Sequence, residues 1–167
     1  MTISTLTTSV AIRGELVGTI DVGDLTQKIS LGVGTAFEDG TGANQANMVW
    51  TDTRTLSASA TENLDLAGVL TNAFGEVLTF TKVKAILVTA AAANTNAVNV
   101  TRPATNGTAI FTAVSSGVSI TPGGVFYASW PNNTGVTVTA ATADQITVTN
   151  SAGSTAVTYT VVIIGIA

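Results

Sequence analysis

From Val10 to Val22 the chain alternates without a break. Val10, Ile12, Gly14, Leu16, Gly18, Ile20 and Val22 hold the even positions, and Arg13, Glu15, Thr19 and Asp21 stand among the odd ones. Successive side chains of a strand point to opposite faces, so a period of two sorts these residues onto one apolar and one polar face. The segment is predicted to be one long, half-buried strand. Gly14 and Gly18 interrupt its apolar face, which predicts a bend or the close approach of another backbone. Ile29, Leu31 and Val33 resume the alternation, and Phe37-Glu38-Asp39-Gly40-Thr41-Gly42 ends it with turn chemistry.

The remainder repeats the pattern in shorter pieces. Strands are predicted over 47–56, 63–67, 77–80, 82–89, 98–101, 108–114, 118–121, 125–130, 136–140, 145–150 and 155–166. Asn106-Gly107, Pro122-Gly123-Gly124, Pro131-Asn132-Asn133-Thr134-Gly135 and Ser151-Ala152-Gly153-Ser154 separate several of them. Each holds a Gly, Asn or Pro where a reversing chain needs a positive or fixed φ. Residues 90–96 are rich in alanine but too few for a stable helix, and read as a loop. Turns at intervals of about 8–12 residues mark an all-β sandwich or barrel. The expected fold is therefore all-β: a jelly-roll-like β-sandwich over 47–167, preceded by an N-terminal β arm or hairpin over 1–46. A two-stranded ribbon is marginal alone in water. The arm must complete the sandwich or lie on another subunit. In the last strand Val157, Tyr159, Val161 and Ile163 share one face, and Val162, Ile164 and Ile166 the other. Such a strand is covered twice, by the chain's own arm or by a partner. Phe74, in the turn Asn72-Ala73-Phe74-Gly75, is expected to fold inward as an anchor.

Composition removes much chemistry. The chain has no histidine and no cysteine. Disulfides, thiolate nucleophiles, zinc fingers and Ser–His triads are excluded, and the redox compartment is not legible. Six basic residues are scattered singly, and the net charge is −4. No phosphate-binding patch is expected, and nucleic acid is not an expected partner. Mean hydropathy is +0.46, yet the longest apolar run, Val161 to Ala167, falls far short of the roughly 20 residues of a spanning helix. A membrane partner is not expected, and a leader peptide is expected to be absent or to have been removed before this numbering begins.

Candidate reactive groups are sparse. Asp21/Asp24, Glu38/Asp39 and Glu62/Asp65 are the close carboxylates, and none has the spaced oxygen ligands of a calcium loop. Lys82 and Lys84 fall on one side of a strand, where exposed charges normally sit. They would be the bases of a Ser–Lys dyad or the partners of a Lys–Asn isopeptide bond. Trp50 and Trp130 would line the groove of a carbohydrate-binding or adhesin module, although tryptophan is more often buried. No catalytic, metal-binding or cofactor residue is assigned, no cofactor is expected, and the chain reads as a non-enzyme.

Trp50-Thr51-Asp52-Thr53-Arg54-Thr55-Leu56, Glu62-Asn63-Leu64-Asp65-Leu66-Ala67-Gly68 and Leu70-Thr71-Asn72-Ala73-Phe74-Gly75 occur in that order. Phe80-Thr81-Lys82-Val83-Lys84-Ala85-Ile86, Asn94-Thr95-Asn96, Pro122-Gly123-Gly124 and Val161-Val162-Ile163-Ile164-Gly165 follow. This succession, over residues 47–167, resembles a family of small virion structural proteins of tailed bacteriophages. The resemblance implies a particle component. A capsid decoration (cement) protein is favoured, with a tail or fibre component as the alternative. The implied partners are the major capsid protein or other virion proteins and further copies of the chain in a homo-oligomer. The implied location is the capsid surface, after assembly in the host cytoplasm. The expected interface residues are Val10, Ile12, Leu16, Ile20, Ile29 and Leu31 of the arm.

Overall fold

A computed structural model describes residues 3, 4 and 6–167. Within the segment 1–46, Met1, Thr2 and Thr5 lie outside the described residues. The long alternating segment forms strand β1 (Leu6–Ile20), which turns at Asp21-Val22 into β2 (Gly23–Asp39). The two pair antiparallel from Leu6↔Phe37 to Ile20↔Gly23. A short β3 (Gln45–Ala46) then runs parallel to the end of β2.

The rest of the chain is a β-sandwich. The strands in chain order are β4 (Met48–Leu56), β5 (Thr61–Asp65), β6 (Ala67–Thr71), β7 (Val77–Thr79), β8 (Lys82–Ala90), β9 (Val98–Thr101), β10 (Gly117–Ile120), β11 (Val125–Ser129), β12 (Val136–Thr137), β13 (Gln145–Asn150) and β14 (Val157–Ile166). One sheet has the order β11-β8-β14-β4, with β12 following β11 along the same edge of β8. The other has the order β10-β9-β13-β5, and β6-β7 form a small separate hairpin. Alternation puts Val157, Tyr159, Val161 and Ile163 of β14 on the inner face, all fully buried. Ile146 and Val148 of β13 and Val98 and Val100 of β9 belong to the same core cluster. Outward faces carry threonine ladders: Thr53 with Thr160 (2.8 Å) and Thr55 with Thr158 (3.1 Å) join β4 to β14, and Thr61 with Thr149 (3.0 Å) joins β5 to β13. These pairs give the abundant threonines a structural use, because a β-branched side chain suits the pleat and its hydroxyl finds a cross-strand partner.

Three local expectations are corrected. Residues 108–114 are not a strand. Arg102 donates to the carbonyls of Gly107 (3.2 Å), Phe111 (3.1 Å) and Thr112 (2.9 Å), which a strand would offer to a neighbour. The apolar residues there serve the core from a loop: Ile110 is buried and Phe111 stacks on Phe126 at 5.6 Å. Secondly, β6 lies between two predicted strands and was not anticipated. Thirdly, Lys84 is fully buried rather than surface-exposed. Ile164 pairs with Ala85 and Gly165 with Val83, so Lys84 is the extra residue of a bulge. A bulge re-aims a side chain. Here it is paired with a close backbone approach, since a Cβ on Gly165 would lie 2.2 Å from the Lys82 carbonyl oxygen and 2.7 Å from the Phe80 ring.

Candidate assembly surface

The register of the hairpin sorts its side chains completely. Val10 lies opposite Val33, Ile12 opposite Leu31, Gly14 opposite Ile29, Leu16 opposite Gln27 and Gly18 opposite Leu25. Directly opposed residues share a face, so this face is aliphatic apart from glycine and Gln27. The other face carries Arg13, Glu15, Lys28 and Asp24, with an exposed Lys28–Glu15 ion pair at 3.8 Å. All six residues expected at an interface fall on the apolar face. None is covered by the chain itself: Ile12 is 62%, Leu16 64% and Leu31 60% exposed. The half-buried strand read from the alternation is thus a half-coverable strand, with its own sandwich on neither side. Gly14 and Gly18 are not occupied by any neighbouring backbone either, and a Cβ at each meets nothing within 4 Å. Leu25 and Val33 belong to the same surface. Neither was among the expected interface residues. The signal for them was the odd-numbered alternation of β2, carried back to Leu25 and on to Val33.

The root of the hairpin is anchored. Phe37 and Ala46 bury themselves on Ala85 and Ile164, on the outer face of the β8–β14 sheet, with Leu6, Val49, Tyr127 and Val162 around them. The second apolar face of β14 is therefore covered at Ile164 by the base of the chain's own arm. Tyr127 donates its hydroxyl to Thr8 Oγ1 at 2.8 Å. Asn44 N–H donates to the Pro131 carbonyl at 2.7 Å. Lys84 Nζ donates to the carbonyls of Gly42 (3.0 Å) and Asn132. Its partners are backbone oxygens, without a carboxylate among them. Burial, and then the nearby Lys82 charge, hold this amine below its ordinary pKa. Beside the root, a groove of about 740 Å³ opens between Leu6 and Val10 of the arm and Leu87, Val125, Tyr127 and Val162 of the sheet.

Several polar groups singled out in the sequence are engaged within the sandwich. Arg54 bridges Asp52 (2.9 Å) and Glu62 (2.7 Å), and buried Tyr159 donates to Glu62 Oε1 at 2.7 Å. The hydrogen bond to Glu62 raises the Arg54 pKa above its already high value. Burial, and then the Glu62 contact, raises that of Tyr159. Lys84 Nζ meets the backbone, not the side chain, of Asn132, so the geometry of an isopeptide link is not formed there. Trp50 is a core residue whose indole donates to the Thr71 carbonyl at 3.2 Å, and Trp130 packs against the same core. Phe74, expected inside, is 80% exposed. The side chain of Asn72 accepts from the Phe74 and Glu76 amides, which fixes the turn without the ring. No family model, no curated protein and no solved structure matches the chain.

Proposed function

We propose that the chain is a non-enzymatic structural subunit of a phage particle, a capsid-decorating protein that joins its neighbours through the β1–β2 arm. The observation that carries this reading is the arm's apolar face. Val10, Ile12, Leu16, Ile20, Leu25, Ile29, Leu31 and Val33 lie on one uncharged face, each of them well exposed. Monomeric proteins rarely expose contiguous apolar patches beyond a few hundred Å². Fully covering one such side chain is worth roughly 1.5–3 kcal/mol, so a neighbour that covers the row gains substantially. The root contacts hold the arm to the sandwich, so that a load on the arm reaches the core. Placement in a phage particle, and on its shell, rests on the succession of motifs over 47–167.

The test removes the arm and spares its root. Joining Ser9 directly to Gly34 through a two-residue turn keeps Leu6, Thr8 and Phe37 in place. The expected product is folded and β-rich but fails to co-sediment with particles stripped of this protein, whereas the full chain rebinds. Normal attachment of the trimmed chain refutes the arm's role. Gold-labelled antibody on intact particles separates shell from tail, and label on the tail replaces the decoration reading with a tail component.

A further inference from the structure

The even-numbered residues from Val10 to Val22 read the same in both directions: Val10, Ile12, Gly14, Leu16, Gly18, Ile20, Val22. The first six lie on the apolar face of the arm and Val22 stands in its turn. A surface that reads identically from either end is self-complementary under a two-fold rotation that exchanges its ends. We propose that the arm's apolar face is covered by the same face of a second copy of this chain, packed antiparallel about a two-fold axis at the Leu16–Gln27 pair. This deepens the assembly role argued above and rests on it, because it names the first partner of the arm.

The register follows from the symmetry. An axis lying between the two ribbons and across the strands places β1 over the second copy's β1, root over tip. Leu16 then meets Leu16, Ile12 meets Ile20, Gly14 meets Gly18, and Val10 meets Val22. On β2 the same axis passes through Gln27, the cross-strand partner of Leu16. Leu25 meets Ile29, Leu31 meets Gly23, and Val33 lies over the turn at Asp21. Gln27 meets Gln27, and a primary amide carries both a donor and an acceptor for its copy. The open spaces at Gly14 and Gly18 flank the point where two leucines meet head-on, and give each of them room to lean aside.

Three further observations favour a second copy over an unlike partner. Between Val10 and Val33 the charges of the two strands, Arg13, Glu15, Asp24 and Lys28, sit on the opposite face, with Glu15 and Lys28 paired within one arm, so nothing on this stretch of the apolar face selects a partner by charge. Eight aliphatic residues, each exposing about half of its surface or more, form a patch comparable to the roughly 800 Å² per partner of a standard interface. Finally, Val10 lines the groove at the arm's root, and the proposed register delivers the second copy's Val22 to that mouth. Val22, at 91% exposure, is the most exposed of the large aliphatic residues described.

Cysteine chemistry tests the register, since the chain has no thiol of its own. Packed sheets lie about 10 Å apart, so a bis-maleimide of that span is the probe. Leu16→Cys, on the axis, is expected to cross-link to dimer. Ile12→Cys alone is not, because its copies lie eight residues apart along the strand, about 26 Å at 3.3 Å per residue. An equal mixture of Ile12→Cys and Ile20→Cys is expected to cross-link. Leu16→Asp, at a site exposed in the single chain, is expected to weaken the dimer in sedimentation by at least about 100-fold, since symmetry sets two uncompensated carboxylates against each other. Cross-linking of Ile12→Cys alone as readily as Leu16→Cys overturns the antiparallel register. A full-length chain that sediments as a monomer at high concentration overturns the dimer. If that monomer still binds particles through its arm, the assembly role survives and only this inference fails.

Discussion

The arm and the sandwich use the same residues in the same period and reach opposite ends. Ile12 and Ile163 are both isoleucines on the apolar face of an alternating strand, yet Ile12 is 62% exposed and Ile163 is fully buried. The strands are paired alike, with β1–β2 as regular as β14–β4. What differs is the layer above. The β8–β14 sheet faces a second sheet, whereas the hairpin projects past the edge of everything the chain supplies. Alternation therefore specifies which face is to be covered and leaves open what covers it. In the sandwich the answer is intramolecular, and at the arm root it is intramolecular for one turn of side chains only, at Leu6, Phe37 and Ala46.

This contrast is easiest to break with one substitution made in both places. Ile163→Ala is expected to cost about 2–5 kcal/mol in urea unfolding, while Ile12→Ala changes the unfolding of the dilute single chain by less than about 0.5 kcal/mol. Comparable losses at the two sites would mean that the arm is covered by its own chain. The junction comes next. Lys84→Met deprives the Gly42 and Asn132 carbonyls of their donor while removing a buried charge. The expected net loss is about 1–3 kcal/mol, with faster amide exchange at Glu38 and Asn44. Unchanged exchange there would show that Phe37 and Ala46 hold the root unaided.

Titration sharpens the sandwich side. Tyr159 ionises near 10.0 in an unfolded chain and far higher in its buried place beside Glu62. Above pH 10 the unfolded state therefore binds fewer protons than the native one. The stability that this tyrosine contributes is complete below pH 10 and is lost as pH climbs, by up to about 1.4 kcal/mol per unit. Tyr159→Phe is expected to flatten that part of the stability–pH curve, and an unaltered slope would assign alkaline unfolding to another group. The smallest effect is expected at Phe74. An exposed ring on a turn fixed by Asn72 leaves Phe74→Ala within about 0.5 kcal/mol of the parent. A larger loss would indicate a covered ring.

Much of this architecture was legible in the residues alone. The all-β class, the turns, and the division of β1 and β14 into faces follow from period-two alternation and from Gly, Asn and Pro at reversals. Both are local, set by the pleat and by φ. The six interface candidates came from the same rule and do share one face. The failures share a cause. Residues 108–114 have strand-like composition, but Arg102, close by in sequence and folded back on them, takes up three carbonyls of this stretch and its approach. Lys84 looks like a surface lysine until, at the bulge opposite Gly165, the backbone at Gly42 and Asn132 closes over its amine. Phe74 looks like an anchor until Asn72 closes its turn without it. By itself the sequence determined the faces, because a side chain's direction depends on its own backbone. Only the tertiary structure decided which faces were covered and which carbonyls a side chain took up, because cover and pairing depend on where segments and side chains come to lie in space.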